Sequence, residues 1–68
     1  MLMNEFGRRL KGLMRKALIP QRQLSEDTGI SIQSIRNWTR GKCEPNVSTL
    51  RILREYLGCS WEDLLGDG

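Results

Sequence analysis

Residues 21–40 read QRQLSEDTGISIQSIRNWTR and contain two short helical patterns separated by a glycine. The first pattern turns Leu24 inward, and Gly29 is the residue type that ends a helix in the left-handed conformation. Ser31 is a favourable N-cap for the second pattern, which begins at Ile32. The stretch therefore predicts two short helices joined by a tight turn.

The sequence on both sides of this stretch predicts three more helices. Pro20 ends a preceding helix because proline disfavours α geometry at the residue before it. Asn4, Asn46 and Ser60 are suitable N-caps for the flanking helices, and Gly58 is a suitable C-terminal stop. The predicted helices cover about 4–18, 21–28, 32–40 and 47–57, followed by a short helix from residue 60.

Apolar residues recur at helical spacing in each of these segments. The expected core positions are Phe6, Leu10, Leu13, Met14, Ala17, Leu24, Ile35, Trp38, Val47, Leu50, Leu53, Leu57, Trp61, Leu64 and Leu65. We expect Trp38 in the core, rather than stacked on a base, because it follows Ile35 by three residues. The predicted fold class is all-α, with residues 1–68 forming one compact five-helix domain. A chain this short has a small core, which either efficient helix packing or a partner subunit can complete.

Several function classes are disfavoured by composition. The chain has no histidine, the commonest general base, and it has neither a glycine-rich phosphate loop nor a nucleophile elbow. Cys43 and Cys59 are too few ligands for a structural zinc site, and we expect them to be reduced. We therefore expect no enzyme, no metal, no other cofactor and no small-molecule substrate. No apolar run approaches membrane-spanning length and no secretory signal is evident, so we expect a cytoplasmic protein.

Charge is distributed unevenly along the chain. Residues 1–42 carry nine Lys or Arg and three acidic residues, a net charge of +6. Residues 43–68 carry two arginines and five acidic residues, a net charge of −3. A polyanion would be attracted to the first part and repelled by the second. Arg8, Lys11 and Arg15 line one face of the first helix, where we expect a solvated surface or a diffuse electrostatic contribution.

Two helices joined by a short turn that contains glycine are typical of a helix-turn-helix, here at about 21–40. In such units the second helix enters the DNA major groove and presents its N-terminal residues to base edges. Gln33 can bond an adenine edge, Ser34 can bond several bases, and Ile32 can contact a thymine methyl group. Asn37, one turn beyond Gln33, can reach a further adenine.

The order and spacing of these motifs resemble the Cro/C1-type, or Xre-type, helix-turn-helix family over about residues 6–65. The resemblance rests on the pattern Gln21-x-x-Leu24-Ser25, Gly29-Ile30-Ser31, Ser34-Ile35-x-x-Trp38-x-x-Gly41-Lys42, Pro45 and Leu57-Gly58-Cys59-Ser60. It implies a compact lambda-repressor-like DNA-binding domain of the kind found in phage repressors, bacterial regulators and some antitoxins.

The resemblance also implies roles for individual residues. Gln21 matches a glutamine that bonds a DNA phosphate and braces the recognition helix, and Arg40 and Lys42 match positions that contact the DNA backbone. Arg36 contacts DNA in one interpretation and is a solvated charge in the other. The full expected DNA-binding set is Gln21, Ser31, Ile32, Gln33, Ser34, Arg36, Asn37, Arg40 and Lys42.

The chain departs from its relatives at five positions. Met14 and Thr39 replace an Arg–Glu pair, and losing both partners together leaves no unpaired buried charge. Leu18 stands where relatives often have Gly, which bears on how the first helix ends, and Arg54 stands where they often have a small residue. Ile32 is apolar at a position often filled by Gln, Arg or Thr.

These observations predict a sequence-specific DNA-binding transcriptional regulator of the phage-repressor or Cro type, encoded by a bacterium or a phage. Its expected partner is double-stranded DNA with a two-fold operator, bound by a homodimer. Ile52 and Tyr56 are candidates for the subunit contact, and ordinary exposed apolar residues explain them equally well. The alternative function is a protein-interaction module, such as an antitoxin-type or oligomerisation domain, with only weak nonspecific DNA affinity.

Overall fold

Five α-helices form the fold in the computed structural model, which describes residues 2–66, with side chains from residue 5 onward. The helices are α1 (Leu2–Ala17), α2 (Gln21–Thr28), α3 (Ile32–Thr39), α4 (Val47–Leu57) and α5 (Trp61–Leu65). Residues 2–66 contain no strand, so the predicted all-α fold class is confirmed. None of the helices in this range is long and apolar enough to cross a membrane.

Most helix ends lie where the sequence predicts them. The Asn46 side chain accepts a bond from the Thr49 N–H at 2.9 Å, and Ser60 forms a reciprocal capping box with Asp63. Gly29 and Gly58 adopt the left-handed conformation that ends α2 and α4. The prediction of Asn4 as an N-cap is wrong, because α1 begins at Leu2 and Asn4 lies within it.

The end of α1 is formed by a residue other than glycine. Leu18 has a φ of +60°. Its N–H donates to the carbonyl oxygen of Arg15 at 3.1 Å, and the Ile19 N–H donates to that of Met14 at 2.8 Å. These two bonds form a Schellman motif with Leu18 in the left-handed position. The Leu18 side chain is 87% exposed, so little burial offsets the cost of this conformation.

Each helix contributes one side chain without measurable exposure to a single core. These residues are Leu10, Leu24, Ile35, Leu53 and Leu64. Phe6, Met14 and Trp38 complete the buried set, which confirms Trp38 as a core residue. The centroids of the Phe6 and Trp38 rings lie 6.3 Å apart in an edge-to-face arrangement.

Four residues expected in the core are exposed instead: Ala17, Val47, Trp61 and Leu65. Burial decreases along α4 from Leu53 through Leu50 to Val47, which is 66% exposed because it lies beyond the edge of the core. In the five-residue α5, Leu64 is buried, whereas Trp61, the first residue of the helix, lies at the surface. There the Arg54 guanidinium lies over the Trp61 ring, 5.3 Å from its centroid.

Gly7 lets α1 lie directly against the backbone of α3. It is buried, and a Cβ atom at this position would overlap the carbonyl oxygen of Trp38 and lie 3.2 Å from the Cα of Thr39. Gly12, on the same helix, is exposed and has no atom within 4 Å of such a Cβ position. The two glycines therefore have opposite consequences for stability.

We predict that Gly7→Ala lowers the free energy of unfolding by about 1–3 kcal/mol, because the backbone of α3 must move away from the added methyl group. The matched variant Gly12→Ala should raise it by up to about 1 kcal/mol through helix propensity alone. Urea unfolding followed by circular dichroism measures both values. Equal effects of the two substitutions would contradict the close approach at Gly7.

Leu18→Gly should raise the free energy of unfolding by about 1 kcal/mol, because glycine adopts a positive φ without steric cost. Leu18→Ala keeps the Cβ atom and should leave stability nearly unchanged. The same unfolding experiment compares them. A loss of stability in Leu18→Gly would show that this leucine contributes packing that its exposure does not indicate.

Candidate nucleic-acid interface

The turn between α2 and α3 is held by side chains of α2. The Ser25 hydroxyl donates to the carbonyl oxygen of Ile30 at 2.5 Å. The Thr28 hydroxyl donates to the Leu24 carbonyl oxygen at 2.6 Å and accepts from the Ile30 N–H at 3.2 Å. With Gly29 at a φ of +80°, these bonds determine the angle at which α3 leaves α2.

Ser31 caps the N-terminus of α3, as the sequence predicts. Its hydroxyl oxygen accepts from the Ser34 N–H at 3.1 Å, and its O–H donates to the Ser34 hydroxyl oxygen at 3.0 Å. Ser31 is exposed and Ser34 is half-buried. Both hydroxyls thus have partners within the chain, and an N-cap is the role that the geometry gives to Ser31.

One face of α3 presents polar and basic side chains away from the core. Gln33, Arg36 and Arg40 are exposed, and Asn37 is half-buried beside them. Their spacing of three and four residues places them on one side of the helix, opposite the core residues of α3. Arg36 therefore shares a surface with Gln33 and Arg40. The Gln33 Nε2 donates to the Asn37 Oδ1 at 3.2 Å.

The remaining expected residues lie beside this face. Ile32 is half-buried, and Lys42 is exposed in the loop that follows α3. That loop folds back on the helix, because the Lys42 N–H donates to the Asn37 carbonyl oxygen at 2.9 Å and the Gly41 N–H donates to that of Trp38 at 3.0 Å. The structure thereby brings Lys42 to the same end of α3 as Arg40.

Gln21 links the beginning of α2 to the end of α3. Its Nε2 lies 3.4 Å from the Thr39 Oγ1, whose own proton is donated to the Arg36 carbonyl oxygen at 3.0 Å. The sequence did not identify Thr39 as the partner of Gln21. The available signal was the replacement of the family's ionic pair, since Met14 is buried in the core and Thr39 offers a hydroxyl instead.

A second polar contact, which the sequence did not reveal, joins α2 to α4. The Tyr56 hydroxyl donates to the Asp27 carboxylate, and the Gln23 Nε2 donates to the two Asp27 oxygens at 2.8 and 2.9 Å. The bonds from Tyr56 and Gln23 hold the pKa of Asp27 below its ordinary value. The bond to Asp27 raises the pKa of Tyr56. Tyr56 is half-buried and packs against the core.

The basic residues of the candidate interface are exposed to solvent. Among the residues whose side chains are described, the one ion pair joins Arg9 and Glu5 at 2.8 Å, within α1. Arg36, Arg40 and Lys42 therefore have no carboxylate partner in this part of the chain. Exposed cations without a local counter-ion are suited to bind phosphate groups.

Both thiols are free: Cys43 is exposed in the loop and directly follows Lys42, and Cys59 is half-buried after α4. Burial raises the pKa of the Cys59 thiol, which lowers its reactivity. The described residues include no group of three or more potential metal ligands.

Comparison with known proteins gave one finding. A family model described as helix-turn-helix matches residues 10–64, which extend from the middle of α1 to α5. No curated protein and no solved structure showed a significant match.

The Tyr56–Asp27 bond predicts a pH-dependent contribution to stability. Because the native pKa of Asp27 is lowered, the contribution is complete above the ordinary pKa of 3.8 and is lost as pH falls through the native value. Because the native pKa of Tyr56 is raised, the contribution is complete below 10.0 and is lost as pH rises through the native value.

We therefore expect Tyr56→Phe to lower the melting temperature at neutral pH. The difference in melting temperature between this variant and the unchanged chain should shrink toward both low and high pH. Thermal unfolding over a series of pH values measures this difference. Asp27→Asn serves as the control, because an amide does not titrate and the acid part of the profile should flatten. A difference that stays constant with pH would contradict the assigned bond.

Proposed function

The chain belongs to the Cro/C1-type helix-turn-helix family, a family of DNA-binding regulators, and we propose that it is a sequence-specific transcriptional regulator of the phage-repressor or Cro type. In this proposal α3 lies in the major groove of double-stranded DNA. One observation carries it: the outward face of α3 combines an exposed glutamine near the N-terminus with exposed arginines farther along.

Base recognition is assigned to the first turn of α3. The N-terminal residues of a recognition helix are those that reach base edges. Gln33 is the second residue of α3 and is exposed, so its carboxamide can bond an adenine in bidentate fashion. Ser34 supplies a hydroxyl, Ser31 caps the turn that presents it, and the half-buried Ile32 supplies an apolar surface for a thymine methyl group.

Phosphate contacts are assigned to the residues that flank this turn. Arg40 and Lys42 lie at the end of α3, and Arg36 lies between them and the base-reading turn. On the other side, Pro20 precedes α2 without a side-chain cap, which leaves the first N–H groups of α2 available to an anion. Gln21 stands at that helix end and is already oriented by Thr39.

Binding as a homodimer to a two-fold operator is part of the proposal. Ile52 is 44% exposed on α4 and supplies apolar surface for a subunit contact. Tyr56, one turn further along α4, is engaged with Asp27 within the chain. Of the two residues that the sequence singled out for this contact, Ile52 is therefore the one that remains free to meet a partner.

Selection of binding sites from random double-stranded DNA tests the proposed reading. The unchanged chain should enrich a motif, and Gln33→Ala should lose about 1–3 kcal/mol of base discrimination at one position in each half-site. Gln23→Ala, the same substitution at an exposed site on α2, should keep the motif. An identical motif for Gln33→Ala and the unchanged chain would contradict the reading role of α3. Affinity no better than about 10⁻⁴–10⁻⁶ M for all DNA would favour the protein-interaction module instead.

The phosphate assignment predicts a different signature for Arg40. Arg40→Ala should weaken binding to all sequences nearly equally and should reduce the slope of log affinity against log salt by about 1, because one fewer counter-ion is released. Arg51→Ala, which removes an exposed arginine of α4, should leave the slope unchanged. Fluorescence anisotropy over a series of salt concentrations measures both. Equal slopes for Arg40→Ala and the unchanged chain would remove Arg40 from the interface.

A further inference from the structure

The two carboxamides on the outward face of α3 are bonded to each other. Gln33 and Asn37 are four residues apart, and the Gln33 Nε2 donates to the Asn37 Oδ1 at 3.2 Å. A carboxamide nitrogen carries two N–H groups, so this bond leaves one N–H and the Oε1 of Gln33 free. The bond also fixes the orientation of the Gln33 carboxamide, with its Nε2 directed toward Asn37. The two residues are thus a coupled pair.

We propose that Asn37 is a positioning residue that orients Gln33 toward a single adenine, rather than a second base-reading residue. This inference rests on the proposed function, since it concerns how α3 reads DNA. The groups that Gln33 retains are one donor and one acceptor. Adenine presents the matching acceptor N7 and donor N6 in the major groove.

The placement of Asn37 in α3 fits a supporting role. Asn37 is half-buried whereas Gln33 is exposed, so Asn37 projects less far into the solvent than Gln33. It is also one turn farther from the N-terminal end that approaches the bases. Its backbone carbonyl oxygen accepts from the Lys42 N–H at 2.9 Å, which connects this position to the loop that follows α3.

The orientation matters because guanine and adenine differ at one of the two groups. Guanine presents two acceptors, N7 and O6, so a carboxamide held with one donor and one acceptor outward leaves the O6 unsatisfied. Without the bond to Asn37, the Gln33 carboxamide can rotate and turn its nitrogen toward O6. Loss of Asn37 should therefore reduce the preference for adenine over guanine at the position that Gln33 reads.

A double-mutant cycle on the full chain tests this coupling. One probe is the duplex that the unchanged chain selects from random DNA. The other probes are duplexes in which one motif position at a time carries each of the three alternative base pairs. Asn37→Ala should lower the adenine-to-guanine preference about three- to tenfold, the size expected for one hydrogen bond, at the same position that Gln33→Ala affects. In the Gln33→Ala background, Asn37→Ala should have no further effect on any base preference.

Asn37→Asp separates positioning from damage to the helix. It keeps an Oδ acceptor for Gln33, so the adenine preference should be restored even though its negative charge weakens binding to all duplexes. Alanine has the higher helix propensity, so the total helix content of Asn37→Ala, measured by circular dichroism, should not fall below that of the unchanged chain.

Two results would overturn the inference. The first is a loss of preference in Asn37→Ala at a different position, with the Gln33 position unchanged, which would make Asn37 an independent base reader. The second is an adenine preference in Asn37→Asp as low as in Asn37→Ala. If Gln33→Ala itself changed no preference, the reading role of α3 would fail and this inference with it. That outcome is distinguishable because it appears in the single Gln33 variant.

Discussion

The contact between Gly7 of α1 and the backbone of α3 at Trp38 is the constraint on which the remaining arrangement depends. A side chain at residue 7 would occupy the space of the Trp38 carbonyl oxygen, so the two helices approach as closely as backbones allow. The Phe6 and Trp38 rings meet edge to face beside this contact, and Ile35 is fully buried. With this side of α3 held against α1, the opposite side can only face outward.

The outward face is supported by polar contacts between neutral side chains more than by ion pairs. Ser25 and Thr28 form hydrogen bonds that hold the turn. The contact between Gln21 and Thr39 joins the N-terminus of α2 to the C-terminus of α3. These contacts bury no charge, so the arrangement avoids the desolvation cost that a buried Arg–Glu pair carries. The cations of α3 are left to interact with an external polyanion, and the negative charge of residues 43–68 lies in the segment that follows.

The fold could be predicted from the sequence because its helix ends are specified locally. Proline, glycine and capping residues act within a few positions, and the predicted and observed bounds of α2 and α4 coincide. The exposure of Trp61 and Val47 could not be predicted, because burial depends on how far the core extends. The close approach of α1 to α3 at Gly7 could not be predicted either, because helix propensity assigns the same cost to Gly7 and Gly12. In the candidate site, residue types indicated the interface, whereas the contacts of Tyr56 with Asp27 and of Gln21 with Thr39 require the tertiary arrangement.

We propose that the outward face of α3 is the surface that meets DNA. A titration of the isotopically labelled chain with duplex DNA, followed by two-dimensional NMR of the backbone amides, tests it most directly. We expect shifts to concentrate in residues 31–37, in the first turn of α2 and around Lys42, while the amides of α5 stay unchanged. Shifts centred on α4 and α5, or no shifts at DNA concentrations that saturate nonspecific binding, would contradict it.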